Sequence, residues 1–133
     1  MSDVIIDTNV VIWYFTLPVL PSMAAQSAVS EALQAGTIFV SAISVVELIY
    51  LVEKRRIPKD VLASLKTAFD APSSAISLFE ITREVCNEVE NIPRTSIPDM
   101  PDRIIAASAL HLDLPLITSD EAIRKLTNIQ TIW

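Results

Sequence analysis

The protein is a chain of 133 residues, the size of one ordinary domain, with 16 acidic and 10 basic side chains and a net charge of -6. Its only glycine, Gly36, excludes the glycine-rich loops that bind dinucleotides or nucleotide phosphates. One cysteine and one histidine exclude an intrachain disulfide and a zinc site of the Cys/His type. A metal ion in this chain would need oxygen ligands, which suit Mg²⁺ or Mn²⁺.

Short apolar runs alternate with amphipathic stretches along the chain, with no repeat or linker between them. β-branched and apolar runs predict strands at Val4–Ile6, Thr37–Val40, Ala75–Leu78, Leu116–Thr118 and Gln130–Ile132. The predicted helices are Asn9–Phe15, Ser22–Ala35, Ser44–Arg56, Lys59–Phe69, Thr82–Asn91, Pro101–Leu112 and Asp120–Leu126. This alternation indicates one α/β domain over residues 1–133, with a mainly parallel sheet of about five short strands covered by helices on both faces.

A long stretch without charge lies between Asp7 and Glu31 and raises the question of a membrane helix or a signal peptide. Pro18 and Pro21 interrupt this stretch, and Asp3 stands where a signal peptide would carry basic residues. We therefore expect a cytoplasmic protein without membrane contact.

Four carboxylates follow predicted strands or open the helices after them. Asp7 directly follows the first strand, and Asp120 follows the strand Leu116–Thr118. Glu47 and Asp102 lie in the first turns of predicted helices. Because ligands of parallel sheets bind beyond the carboxyl ends of the strands, all four side chains can reach the same edge of the sheet.

Each of these acids also has a purely structural interpretation. Asp7 could form an Asx turn or cap a helix, and Asp102 and Asp120 could favour helix N-termini through capping and the helix dipole. Glu47 fits such a role least, because it is the only charge within residues 37–52, in a helix that is apolar nearly all round. A carboxylate there would lose hydration at a cost of several kcal/mol unless a cation or a donor compensates.

Gathered carboxylates repel each other, by roughly 3 kcal/mol for a pair about 5 Å apart at an effective dielectric constant near 20. A divalent ion held by their oxygens would relieve this repulsion. Such an ion can activate a water molecule and polarise a phosphoryl oxygen, which is the chemistry of phosphodiester hydrolysis. Cys86 and His111 lie on different predicted helices, which disfavours a Ser-His-Asp or Cys-His mechanism.

Four motifs, in chain order, carry a resemblance to a known family. They are IIDTNV at residues 5–10, SAISVVEL at 41–48, DMPDRIIAASA at 99–109 and LITSD at 116–120. Together they resemble the PIN-domain ribonucleases, and most of all the VapC-type toxins of bacterial and archaeal toxin–antitoxin pairs. The resemblance implies a three-layer α/β/α sandwich and an endoribonuclease that depends on Mg²⁺ or Mn²⁺.

The resemblance also implies roles for individual acids. The acidic positions of the family fall on Asp7, Glu47, Asp102 and Asp120. As metal ligands, they would direct in-line attack of activated water on an RNA phosphodiester, with Glu47 either a ligand or the group that orients the water. Whether one or two ions act stays open.

Supporting residues follow from the same motifs. Asn9 matches a polar residue that orients the first acid, and Thr118 or Ser119 matches a polar residue near the last one. Asp99 could act near the metal or cap its helix, and we favour the cap. We expect Arg103 to steady the carboxylates. The resemblance further implies a small antitoxin whose tail enters the active-site groove, and a homodimer.

Two further groups could contact partners. Lys54, Arg55 and Arg56 belong to the only locally basic stretch and could bind RNA, although a solvated helix end that complements the helix dipole is at least as good an account of them. The aromatic run at residues 13–15 could stack on bases, but helix packing or a contact with a partner protein fits it better.

Competing interpretations are weaker or stay open. A haloacid-dehalogenase-like phosphatase would need a carboxylate at position 9, where Asn9 stands. A phosphoacceptor signalling domain would need paired acids after the first strand and a lysine after a late one. A PIN nuclease that is not a toxin, or a PIN module that only binds RNA or protein, stays open.

The acidity of the chain argues against an RNA partner, because phosphate binding draws on Lys and Arg. If four of the 16 acids belong to one metal site, however, 12 acids face 10 bases. Four of the six excess negative charges would then belong to the predicted site.

Overall fold

The computed structural model describes residues 2–133. The strands are β1 (Val4–Ile6), β2 (Ile38–Ser41), β3 (Ile76–Phe79), β4 (Leu116–Ile117) and β5 (Thr131–Ile132). The α-helices are α1 (Thr8–Thr16), α2 (Met23–Ala35), α3 (Ala42–Glu53), α4 (Lys59–Asp70), α5 (Arg83–Glu88), α6 (Met100–Leu112) and α7 (Glu121–Arg124). A 3-10 turn at Val89–Asn91 continues α5.

The five strands form one sheet in the order β3-β2-β1-β4-β5, and every neighbouring pair is parallel. β1 is the central strand and pairs Ile5 with Phe39 of β2 on one side and with Leu116 of β4 on the other. The predicted parallel sheet of five short strands is confirmed.

The sheet carries a hydrophobic core on each face, because successive residues of a strand point to opposite sides. Val4 and Ile6 belong to one buried cluster, which includes Val29 of α2. Ile5 belongs to the other, which includes Ile105 of α6. Helices therefore cover both faces, which confirms the α/β/α architecture.

The ends of the helices differ from the predicted ones where side chains cap them. α3 begins earlier than predicted, at Ala42, because Oγ of Ser41 accepts a hydrogen bond from the backbone N–H of Ile43 at 3.2 Å. The helix predicted over Thr82–Asn91 splits into α5 and the 3-10 turn. Element types follow from periodicity, whereas ends depend on such local bonds.

The aromatic run at residues 13–15 is half-buried and packs against the first core cluster. The ring of Trp13 lies 5.5 Å, centroid to centroid, from that of Trp133. The loop after α1 is open to solvent, with Leu17 41% and Val19 65% exposed. No helix within residues 2–133 has the length and apolar character needed to cross a bilayer.

Candidate active site

The order of the strands creates a crevice at the carboxyl ends of β1 and β4. From β1 the chain crosses to β2 on one side, whereas β4 lies on the other side of β1. In open α/β sheets, ligands bind at such a switch in strand order. The backbone N–H of Asp7, just after β1, donates to the carbonyl of Ile117 at 3.0 Å, which holds the two strand ends together.

Asp7 is buried at the base of this crevice, with 6% of its surface exposed. Its Oδ1 accepts a hydrogen bond from the backbone N–H of Thr8 at 2.8 Å, and its Oδ2 accepts one from Oγ1 of Thr118 at 2.7 Å. Oγ1 of Thr118 in turn accepts from the backbone N–H of Asp120 at 3.0 Å. This chain of bonds orients the Asp7 carboxylate and links it to the start of α7.

Glu47 lies on α3, half-buried, and faces the same crevice. Oγ1 of Thr8 donates to its Oε1 at 2.6 Å and lies 2.8 Å from Oγ of Ser44. Because the Thr8 hydroxyl has one proton and gives it to Glu47, the Ser44 hydroxyl donates to Thr8. Thr8 therefore connects two acids: its backbone holds Asp7 and its side chain holds Glu47.

Asp99, Asp102 and Asp120 complete the group from two helix N-termini. Oδ2 of Asp99 caps α6 by accepting from the backbone N–H of Asp102 at 3.2 Å. Oδ1 of Asp120 caps α7 in the same way, from the N–H of Ile123 at 3.0 Å. We call Asp7, Glu47, Asp99, Asp102 and Asp120 the carboxylate cluster.

The members of the carboxylate cluster act on each other electrostatically. Burial, followed by repulsion from Asp7 and the other cluster members, raises the pKa of Asp102 from 3.8 to about 7. Burial also raises the pKa of Asp7, although its hydrogen bonds from Thr118 and Thr8 oppose the shift. Burial raises the pKa of Glu47 as well, against the bond from Thr8. The carboxylate cluster therefore carries negative charge that its surroundings do not fully compensate.

The structure changes the roles expected for two supporting residues. Asn9 is exposed, and Thr8 and Thr118 hold the Asp7 carboxylate in its place. Arg103 does not steady the carboxylates: its Nε donates to the carbonyl of Ile92 at 3.0 Å and its Nη2 to that of Val89 at 2.9 Å. These bonds tie α6 to the 3-10 turn and its C-cap, and the carbonyl of Val89 also accepts the backbone N–H of Ile92 at 3.1 Å.

The other predicted residues lie around the rim. Ser119 is half-buried beside Asp120. Lys54 is exposed and lines a groove that it shares with Glu47. Arg55 and Arg56 are exposed and line a different groove.

Two residues of the site, Thr8 and Ser44, were not predicted from the sequence. Both are buried hydroxyl residues on the first turns of α1 and α3. Their signal is weak, because Thr and Ser at helix starts usually cap the helix. Only the packing of α1 against α3 turns these hydroxyls towards Glu47.

The donors of the carboxylate cluster are all oxygens, and their net negative charge fits a hard divalent cation. They are not arranged as a finished coordination site, since no three His, Cys, Asp or Glu side chains in residues 2–133 lie together around one point. Asp7, Asp99 and Asp120 each cap a helix, and repulsion keeps charged carboxylates apart. A cation would draw these side chains together.

Known proteins are similar to this chain over nearly its whole length. Ribonuclease VapC22 of Mycobacterium tuberculosis (strain ATCC 25618 / H37Rv) is 28% identical over 135 residues and aligns over 100% of both chains. The crystal structure of VapBC2 from Rickettsia felis bound to a promoter DNA fragment matches with a TM-score of 0.73, at 16% identity over 97% of this chain and 96% of that one. FitAcB from Neisseria gonorrhoeae matches with a TM-score of 0.64, at 22% identity over 96% and 95%.

The profile of the PIN domain family matches residues 4–129. This range includes the strands β1 to β4, the helices around them and every member of the carboxylate cluster. The chain therefore belongs to the PIN domain family.

Proposed function

We propose that this protein is an endoribonuclease that hydrolyses RNA phosphodiester bonds and is the toxin of a toxin–antitoxin pair. Its family and its likeness to a protein named a ribonuclease support the activity. The solved structures that share its fold include toxin–antitoxin assemblies, which supports the partner. Family membership also sets aside the phosphatase and phosphoacceptor alternatives.

The observation that carries this proposal is the gathering of Asp7, Glu47, Asp102 and Asp120 at the switch in strand order, and the raised pKa of Asp102, about 7, accords with it. Carboxylates that served only to cap helices would gain no stability from lying close enough to repel one another. A site that takes up a divalent cation gains affinity from the same repulsion, because the cation neutralises it. We propose Mg²⁺ or Mn²⁺ as that cation, with Asp7, Asp102, Asp120 and Glu47 as the residues that hold it.

When bound, the cation would supply a Lewis acid for the phosphoryl oxygen and lower the pKa of the attacking water. The residues of the chain place the reacting groups. Thr118 and Thr8 prevent Asp7 from turning, because each holds one of its two oxygens. Thr8 also occupies Oε1 of Glu47, and Oε2 is then the oxygen that can orient water.

We extend the proposal to the assembly of the protein. Residues 1–133 would act as one PIN domain in the cytoplasm, bind a small cognate antitoxin and pair as a homodimer. A groove of about 240 Å³ between α1 and α2, beside the exposed Leu17 and Val19, supports a contact with a partner protein.

The test is cleavage of a mixed RNA pool by the pure protein with Mg²⁺, with Mn²⁺ and with a chelator. We expect cleavage with either ion and none with the chelator. The Asp7→Asn and Asp102→Asn proteins, folded as the parent is by circular dichroism, should be inactive. Normal cleavage by both variants would falsify the proposal, and RNA binding by the parent without cleavage would favour the module that only binds.

A further inference from the structure

A groove of about 420 Å³ runs beside the carboxylate cluster, between α3 and the start of α6. Glu47 forms part of its wall, so the groove opens directly from the proposed active site. Its lining also includes Val46, Tyr50, Lys54 and Met100. We call it the α3–α6 groove.

Three groups of different chemistry line up along α3. Glu47, Tyr50 and Lys54 are separated by three and four residues, so they lie on one face of the helix. The helical bond from the N–H of Lys54 to the carbonyl of Tyr50, at 2.9 Å, carries this face to the end of α3. With a rise of 1.5 Å per residue, residues 47 and 54 lie about 10 Å apart along the helix axis, with Tyr50 between them.

The apolar side chains of the groove are open to solvent. Tyr50 is 59% exposed, Met100 63% and Val46 45%, and none of them belongs to either buried core cluster. The fold therefore leaves a flat aromatic ring uncovered beside an acidic site. Exposed apolar patches of this kind mark binding surfaces.

We infer that the α3–α6 groove binds the nucleotide next to the scissile phosphate, with its base stacked on Tyr50 and a neighbouring phosphate held by Lys54. This inference rests on the proposed function and names the substrate contact of the same site. A polynucleotide alternates flat rings with anionic phosphates, and the groove alternates a ring with a cation. The other possible occupant of this surface is a second copy of the chain, and the experiments below distinguish the two.

The first measurement is the binding of a short, labelled, single-stranded oligoribonucleotide, followed by fluorescence anisotropy in Mg²⁺. The proteins carry Asp7→Asn, so that the RNA stays intact. We expect Tyr50→Ala to weaken binding by about 10-fold and Tyr50→Phe to bind as the parent does, because stacking needs the ring and not the hydroxyl. Met23→Ala is the matched control, since Met23 is 84% exposed on α2, outside this groove.

The second measurement asks whether Tyr50 and a base contact each other. Oligonucleotides with one abasic nucleotide at successive positions are bound to the parent and to Tyr50→Ala. At one position, the missing base should weaken binding to the parent by the same factor as Tyr50→Ala does. At that position, the abasic nucleotide and Tyr50→Ala together should weaken binding no more than either change does alone. At the other positions, the two factors by which binding weakens should multiply.

The third measurement tests Lys54 through the dependence of binding on salt. Lys54→Ala should reduce the slope of log K against log salt by about 0.7, the value for one phosphate of a single strand. Lys66→Ala, at an exposed lysine on α4, should leave the slope unchanged.

The outcomes separate this inference from the proposed function. Cleavage of RNA by the parent without a Tyr50-dependent abasic position overturns the inference alone. Binding with the abasic signature but no cleavage overturns the proposed function alone. If Tyr50→Ala turns a dimer into a monomer in sedimentation and binds abasic and intact RNA with equal loss, the groove is a contact between copies and the inference is wrong.

Discussion

The two ends of the parallel sheet treat acidic side chains in opposite ways. At the amino end, Asp3 is used as structure: its Oδ1 accepts a hydrogen bond from the backbone N–H of Thr37 at 2.8 Å. At the carboxyl end, Asp102 has its pKa raised to about 7 by burial and by its acidic neighbours. Aspartate thus stabilises the fold at the amino end of the sheet and adds electrostatic repulsion at the carboxyl end. Asp3 is held by a hydrogen bond and serves the fold, whereas Asp102 is left among like charges and marks a site.

Removing an acid of the carboxyl end should have the largest effect. We expect Asp7→Asn to lower the rate of RNA cleavage in Mg²⁺ by more than about 100-fold, which exceeds the usual loss for a group that only supports a metal ligand. Asp3→Asn, at the amino end, is the matched control and should cleave at the rate of the parent once it is folded. Equal rates for both variants would remove the distinction between the two ends.

The threonines that hold the cluster should matter next. Thr118→Val removes the bond to Oδ2 of Asp7, and Thr8→Val removes the bond to Oε1 of Glu47. We expect each to lower cleavage by about 10- to 100-fold and to weaken the response to Mg²⁺. Thr118→Ser and Thr8→Ser keep the hydroxyl and should recover most of the rate. Serine variants as slow as the valine ones would point to packing instead of hydrogen bonding.

At the amino end, the close contact of Gly36 should affect stability alone. A Cβ at this position would lie 2.8 Å from the carbonyl carbon of Ser2 and 2.9 Å from Oδ1 of Asp3. We expect Gly36→Ala to lower the free energy of unfolding by about 1–3 kcal/mol, because the backbone must shift. Chemical denaturation measures this loss, and cleavage per folded molecule should not change.

The charge held by Asp102 should lower the stability of the metal-free protein at neutral pH. The pKa of this carboxyl is about 7 in the folded protein and 3.8 for a free aspartate side chain in water, so the folded state binds more protons between these values. Stability from this group is therefore present at low pH and is lost as pH rises towards 7. With solvent screening of this half-buried group, Asp102→Asn should gain roughly 1 kcal/mol above pH 7, or about 3–5 °C in Tm.

Thermal melts with a chelator, from pH 4 to pH 8, measure this effect. The difference in Tm between Asp102→Asn and the parent should be near zero at pH 4 and should grow towards pH 8. Mg²⁺ should raise the Tm of the parent more than that of the variant. A difference that is independent of pH would contradict the electrostatic account.

The smallest effect is expected at Asp113, which ends α6 at the amino end of the sheet. Asp113 adopts a left-handed conformation, with φ 54° and ψ 45°. Glycine adopts this conformation without strain, and a negative charge at a helix C-terminus opposes the helix dipole. We expect Asp113→Gly to stabilise the protein by about 0.5–1 kcal/mol in chemical denaturation. A loss of stability would show that the Asp113 side chain makes a contact of its own.

Much of the fold was predictable because its strands and helices have strong local patterns. β1 was predicted with the correct ends, since Val4–Ile6 is an apolar run bounded by acids. The exposure of α3 was not predictable. Its apolar face suggested burial nearly all round, yet Val46 and Tyr50 are open to solvent. Periodicity shows which residues are apolar, and only the neighbouring helices show which of them are covered.

The site was predictable in part for the same reason. Asp7 and Asp120 follow strands, so parallel pairing alone brings them to one edge. Arg103 could not be assigned, because its guanidinium reaches carbonyls of a distant turn and not the acids one turn away. The direction of a long side chain depends on partners that are remote in sequence.

The sequence by itself determined the alternation of strands and helices, the oxygen-only chemistry and the acids that stand after strands. These features are local, because each depends on a residue and its near neighbours along the chain. The tertiary structure alone decided which hydroxyls hold those acids, that Thr8 serves both Asp7 and Glu47, and that their neighbours raise the pKa of Asp102. Hydrogen bonds and charges act over distances of a few ångströms in space, and only the packing of α1, α3 and α6 around β1 brings these groups that close.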